Sequence, residues 1–105
     1  MTIATIAGQH VHVNEEGFLT QFDEWNETIA AELAKDVGID ALTPEHVAVL
    51  RFLRAEYQAN GETPTLRRVN TAGGFDTKLL FQLFPKKPAK KMAYVAGVPK
   101  PVGCV

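Results

Sequence analysis

The string Thr43-Pro44-Glu45-His46 constrains the fold more than any other feature of this chain. It supplies a hydroxyl N-cap, a proline where a missing N–H does no harm, and an acid that the helix dipole favours. Beyond it, His46, Val49, Leu50, Leu53 and Tyr57 recur at i, i+3, i+4, i+7 and i+11 and form one helical face, while Arg51, Arg54 and Gln58 point elsewhere. Gly61 ends that helix. Thr63-Pro64 repeats the signal and opens a shorter helix through Leu66 to about Thr71, stopped by Gly73-Gly74. Asp76 caps a fourth helix with Leu79, Leu80, Leu83 and Phe84 on its buried side and Pro85 at its end. Pro88 opens a fifth, which runs to Ala96 before Gly97.

Upstream, Asp23 is the expected N-cap of a helix whose buried positions are Trp25, Ile29, Ala30, Leu33 and Val37, closed by Gly38. Residues 2–6 and 11–13 are short and β-branched, with Gly8-Gln9 between them, so a small hairpin is expected there. Asn14-Glu15-Glu16-Gly17 reads as a turn anchored by Phe18 and Leu19. The expected fold is mainly α: a compact domain of about five helices over residues 1–97, with an N-terminal β-hairpin in 1–13 and a helix-turn-helix-like element. Residues 98–105 are expected to form a flexible C-terminal arm.

A length of 105 residues leaves room for one core, and 46% apolar with 22% charged residues is ordinary globular usage. No apolar run approaches the roughly 20 residues a membrane span needs. The first ten residues lack the pattern of a secretory signal, so a cytoplasmic location is expected. One cysteine forms no internal disulfide, and three histidines give no zinc spacing, so neither metal nor cofactor is expected. An enzyme in its own right lacks support: there is no Gly-rich phosphate loop, and the histidines look unconnected. His10 and His12 alternate on one side of the hairpin and are expected in solvent. His46 reads as a packed helix-start residue and Trp25 as core.

The net charge of −1 hides an asymmetry. Residues 1–64 hold 11 acids against Lys35, Arg51 and Arg54, whereas residues 65–105 hold eight bases against Asp76 alone. Such a basic part steers an acidic partner or a nucleic-acid backbone, or simply neutralises the other half within the fold. One reading is therefore a helix-turn-helix regulator built from 43–60 and 63–71. Against it, the second helix is short, offers a groove only Arg67, Arg68 and Asn70, and the overall pI is near 6.3.

The segment Val98-Pro99-Lys100-Pro101-Val102-Gly103-Cys104-Val105 carries the chain's one thiol behind a stiff Pro-Lys-Pro stretch. At about 3.3 Å per extended residue, eight residues carry a sulfur roughly 25 Å from the last helix. A thiol on an arm reaches a donor's active site and then a recipient's without a pocket of its own. Exchange requires the thiolate, which Lys100, and Arg67 if the arm folds back, would favour and the neighbouring C-terminal carboxylate would oppose.

The run Leu83-Phe84-Pro85-Lys86-Lys87-Pro88-Ala89-Lys90, with Ala96-Gly97-Val98-Pro99-Lys100-Pro101-Val102-Gly103-Cys104-Val105, resembles the C-terminal signature of the DsrC/TusE family of sulfur-relay proteins. Glu16-Gly17-Phe18-Leu19, Trp25, Leu42-Thr43-Pro44-Glu45-His46, Phe52-Leu53-Arg54, Tyr57, Pro64 and Arg67 fall in the family's order, so the likeness covers nearly the whole chain. It implies that Cys104 carries sulfur as a persulfide, between upstream donor proteins and an acceptor such as a tRNA thiolase or a sulfite reductase. Direct nucleic-acid contact and membrane attachment are not implied. Arg67, Lys100, Lys86 and Lys90 are the candidates for guiding the arm or docking a partner. Two departures stand out. DsrC proper has a second arm cysteine eleven positions before the first, where this chain has Ala93, so a single-thiol, TusE-like role in tRNA 2-thiouridine formation is the expectation. The DsrC-like role with dissimilatory sulfite reductase or in sulfur oxidation is the alternative. Lys87 stands where the family usually has glycine.

Overall fold

A computed structural model describes residues 2–101. Cys104 and the rest of 102–105 lie outside the described residues. Strands β1 (Thr2–Ile6) and β2 (Gln9–Val13) pair antiparallel, with Thr2 opposite Val13 and Ile6 opposite Gln9. The hairpin turn is Ala7-Gly8, one residue earlier than the sequence suggests, with φ of 53° and 76°. Positive φ at both central residues matches the strand twist, which is why a two-residue loop forms there. Asn14 Oδ1 then accepts from the Glu16 and Phe18 amides and closes the expected turn, and Phe18 and Leu19 are buried behind it.

Helix α1 (Glu27–Asp36) starts later than expected. Its N-cap is Asn26, whose side chain accepts from the Ile29 amide at 2.9 Å, and Asp23 sits instead in a single 3-10 turn, Phe22–Glu24. Trp25 is therefore not on the helix. Helix α2 (Pro44–Asn60) begins where Thr43-Pro44 places it. His46 Nδ1 accepts from the Thr43 amide at 3.0 Å while the His46 amide donates to Thr43 Oγ1, a reciprocal cap with histidine in the usual glutamate place. Nε2 then carries the ring proton and donates to the Leu83 carbonyl at 2.9 Å, so the ring is consumed by packing, as expected.

Helix α3 (Leu66–Thr71) is capped by Thr65, not Thr63. Helices α4 (Thr77–Leu83) and α5 (Pro88–Ala96) follow; Asp76 stands at the α4 N-cap position without a side-chain bond. The core joins Ile29, Ala30, Leu33, Val49, Leu50, Leu53, Val69, Leu80, Phe84, Met92, Ala93 and Val95, drawn from all five helices, with Val11 from the hairpin. His12, expected in solvent, is tied down: its amide and Nδ1 both meet the Glu24 carboxylate, at 2.8 and 2.9 Å. The amide bond, with the ring bond next, holds Glu24 below the ordinary carboxylate range. Among the described residues no helix is long and apolar enough to cross a membrane.

The turn into α5 carries two consecutive left-handed lysines, Lys86 at φ 59° and Lys87 at φ 51°. An L side chain there costs about 1 kcal/mol or more, because its Cβ crowds the following carbonyl. Lys87→Gly is accordingly expected to stabilise the fold by up to about 1 kcal/mol, since relief of that crowding outweighs the extra freedom of the unfolded chain. A urea titration reads this as a higher midpoint at unchanged slope; a lower midpoint would contradict it.

Candidate functional site

The chain leaves α5 through Gly97, which is left-handed at φ 70°. The Gly97 amide bonds back to Tyr94 O and the Val98 amide to Ala93 O, closing the helix so that the next residues turn across the globule. Val98 and Pro101 are buried, and Pro99 is exposed between them. Two side chains fasten this stretch. Thr63 Oγ1 donates to the Pro99 carbonyl at 2.6 Å from the α2–α3 connection. From the turn after β2, Glu16 Oε2 faces Lys100 Nζ at 3.5 Å and Lys90 Nζ at 3.8 Å. The first residues of the expected arm, 98–101, thus lie against the domain.

Beneath this exit, an arginine organises the end of α5. Arg54 donates to the Ala96 carbonyl at 3.0 Å and to the Phe22 carbonyl at 2.8 Å. Its guanidinium lies 3.8 Å from the Phe22 ring centre and 4.3 Å from that of Trp25. Burial lowers its pKa, and the nearby Asp23 charge opposes that effect. Trp25 Nε1 donates to the Val95 carbonyl at 2.8 Å, so the indole covers the last turn of α5.

Of the charged residues singled out from sequence, Lys86 and Lys90 share a cleft of about 600 Å³ with Lys87, Lys91, Glu16, Asp36, Phe18, Val37 and Tyr94. Lys100 joins Lys90 through Glu16. Arg67 stands apart on α3, exposed, its side chain without a hydrogen bond or ion pair among the described residues. Glu16, Thr63 and Arg54 were not anticipated in these roles. Thr63 was legible only as a cap; Thr65 takes the cap, and Thr63 bonds the Pro99 carbonyl instead. The α2–α3 pair makes a poor groove reader: α3 has six residues, and Arg68 is held by Glu56 of α2 at 2.6 Å. Among the described residues no group of three His, Cys, Asp or Glu is placed to hold a metal ion.

The model of the family described as DsrC like protein matches residues 5–105. The chain belongs to the DsrC-like family. It is 36% identical over 105 residues to the dissimilatory-type sulfite reductase subunit gamma of Nitratidesulfovibrio vulgaris, with all of both chains covered. It is 37% identical to the sulfurtransferase TusE of Escherichia coli O6:H1, over 93% of this chain and 95% of that one. A chain in the crystal structure of dissimilatory sulfite reductase I superposes with a TM-score of 0.87 at 36% identity, over 99% of this chain and 100% of that one. The five-helix fold with its hairpin is thus the DsrC fold, and sulfur relay is the family's work. In this DsrC-like chain, Ala93 is buried on the inner face of α5.

Proposed function

We propose that this DsrC-like protein is a single-thiol sulfur carrier of the cytoplasm, with Cys104 as the carrying atom's host and tRNA 2-thiouridine formation as its destination. The thiol count supports the single-thiol reading: Cys104 is the chain's one cysteine, and Ala93 stands where two-cysteine relatives have their second. Identity does not separate the branches, since relatives of both names lie at 36 to 37%. Full coverage of the sulfite reductase gamma subunit keeps a role beside such a reductase as the second reading.

The chemistry is two displacements at sulfur. The Cys104 thiolate attacks the outer sulfur of a donor persulfide; a new S–S bond forms, the donor's S–S bond breaks, and the donor cysteine leaves as thiolate. Nothing is oxidised or reduced overall. Delivery repeats the step with an acceptor thiolate attacking the outer sulfur on Cys104.

Incubation with glutathione persulfide followed by intact-mass measurement tests this. The native chain is expected to gain one sulfur atom, about 32 Da, and Cys104→Ser to gain none. An equal gain in the variant, or none in the native chain, would remove the carrier role. In cells whose one copy is Cys104→Ser, 2-thiouridine in tRNA should fall to the level of the deletion strain; normal 2-thiouridine with impaired sulfite metabolism would favour the second reading.

A further inference from the structure

The cleft beside the arm's exit has a composition that sulfur exchange alone does not use. Lys86, Lys87, Lys90 and Lys91 surround it, over a floor of Phe18, Val37 and Tyr94. Its volume of about 600 Å³ suits a few enclosed side chains. Much of the charge is unanswered: Lys90 faces Glu16 at 3.8 Å and Lys91 donates to the Pro85 carbonyl, whereas the side chains of Lys86 and Lys87 have no hydrogen bond or ion pair among the described residues. Asp36 is engaged by the Tyr94 hydroxyl at 2.9 Å. The lysines therefore outnumber the carboxylates available to them.

We propose that this cleft docks an acidic segment of a partner protein, with carboxylates on Lys86, Lys87 and Lys90 and an apolar side chain on the Phe18–Tyr94 floor. The inference rests on the carrier reading for its purpose, since the docked partner is the one that presents or receives the sulfur. Glu16 supplies the link. The same carboxylate faces Lys90 in the cleft and Lys100 at the root of the arm, so a partner carboxylate on Lys90 competes with Glu16 next to the segment that leads to Cys104. Protein fits better than nucleic acid here. The Tyr94 ring is half-buried, packed edge-on against Phe18 at 5.3 Å and not presented flat for a base to stack on.

The test is a titration of the full chain with the peptide acetyl-Glu-Glu-Phe-Asp-Asp-Leu-amide, followed by amide NMR shifts. Shifts are expected at residues 16–18, 36–37, 86–91 and 94, with affinity that falls as salt rises. Lys86→Glu with Lys87→Glu should weaken binding about tenfold or more. Lys86→Gly with Lys87→Gly removes the charges at left-handed positions that glycine prefers, so it keeps the fold and should weaken binding about threefold or more. Shifts elsewhere, unchanged affinity in both variants, or equal binding of a uridine hexanucleotide would overturn the proposal. So would the same amides moving when residues 102–105 are deleted, because the chain's own end would then be the occupant. Cys104→Ser should bind the peptide as the native chain does. Peptide binding at the cleft together with failed sulfur uptake would remove the carrier reading and leave the cleft assignment supported.

Discussion

Gly97→Ala is expected to cost the fold about 3 kcal/mol. Two penalties coincide at that residue. Its φ of 70° is left-handed, where an L residue loses about 1 kcal/mol or more. A Cβ built there would also lie 2.5 Å from Trp25 Cδ1 and 3.0 Å from Cγ, far inside contact distance. The indole has little freedom to withdraw, because its Nε1 is bonded to the Val95 carbonyl and the Arg54 guanidinium lies over its face. Overpacking of a fixed neighbour adds about 1 to 3 kcal/mol. With a urea slope of about 1 to 3 kcal/mol per molar, the midpoint should fall by roughly 1 to 3 M. A double-mutant cycle with Trp25→Ala separates the terms: removal of Cδ1 and Cγ should recover most of the steric loss and none of the backbone loss. A midpoint within about 0.3 M of native would show that the chain leaves α5 by another path.

The same residue shows what the sequence discloses and what it conceals. Gly97 is legible as the stop of α5, because glycine after the last apolar-periodic residue is a local signal. Its contact with Trp25 spans 72 positions, and no pattern in either neighbourhood announces it. The helices were readable for the same local reason: Thr43-Pro44, Pro88 and the apolar spacings place α2 and α5 to the residue. Local signals mislead where two candidates compete. Asp23 and Asn26 both suit an N-cap, and the 3-10 turn that holds Phe22 under Arg54 leaves the role to Asn26. Thr63 and Thr65 compete likewise across Pro64. At the candidate site, the lysines near residue 98 were visible as a charge run, but their enclosure of a cleft depends on Phe18 and Val37 from two other stretches meeting Tyr94 of α5 there. Glu16 could be read only as a turn residue, because its partners Lys90 and Lys100 lie more than seventy positions away.

Arg54→Met is the second large loss, at about 3 kcal/mol, and it bears on how residues 97–101 are held. Periodicity sets Arg54 off the apolar face of α2, yet it is half-buried and fills two roles there. Its fork reaches two carbonyls at once, those of Phe22 and Ala96, and so joins the turn before α1 to the last residue of α5. Hydrogen bonds from a charged donor contribute about 1.5 to 3 kcal/mol each, and the ring contacts about 0.5 to 1 more. These do not add in full, because water reaches part of the site once the fork is gone. Methionine keeps the apolar stem and removes the donors, so the loss reports the fork and not the packing. Arg54→Lys should fall between, at about 1.5 kcal/mol: one ammonium reaches one carbonyl and lacks the plane that lies over Phe22 and Trp25. Hydrogen exchange places the effect. The Gly97 and Val98 amides, bonded to Tyr94 and Ala93, should lose protection in Arg54→Met before the middle of α2 does. Uniform loss across all helices would mean that Arg54 stabilises the globule as a whole. Loss confined to the end of α5 would mean that it sets the point from which the segment carrying Cys104 departs.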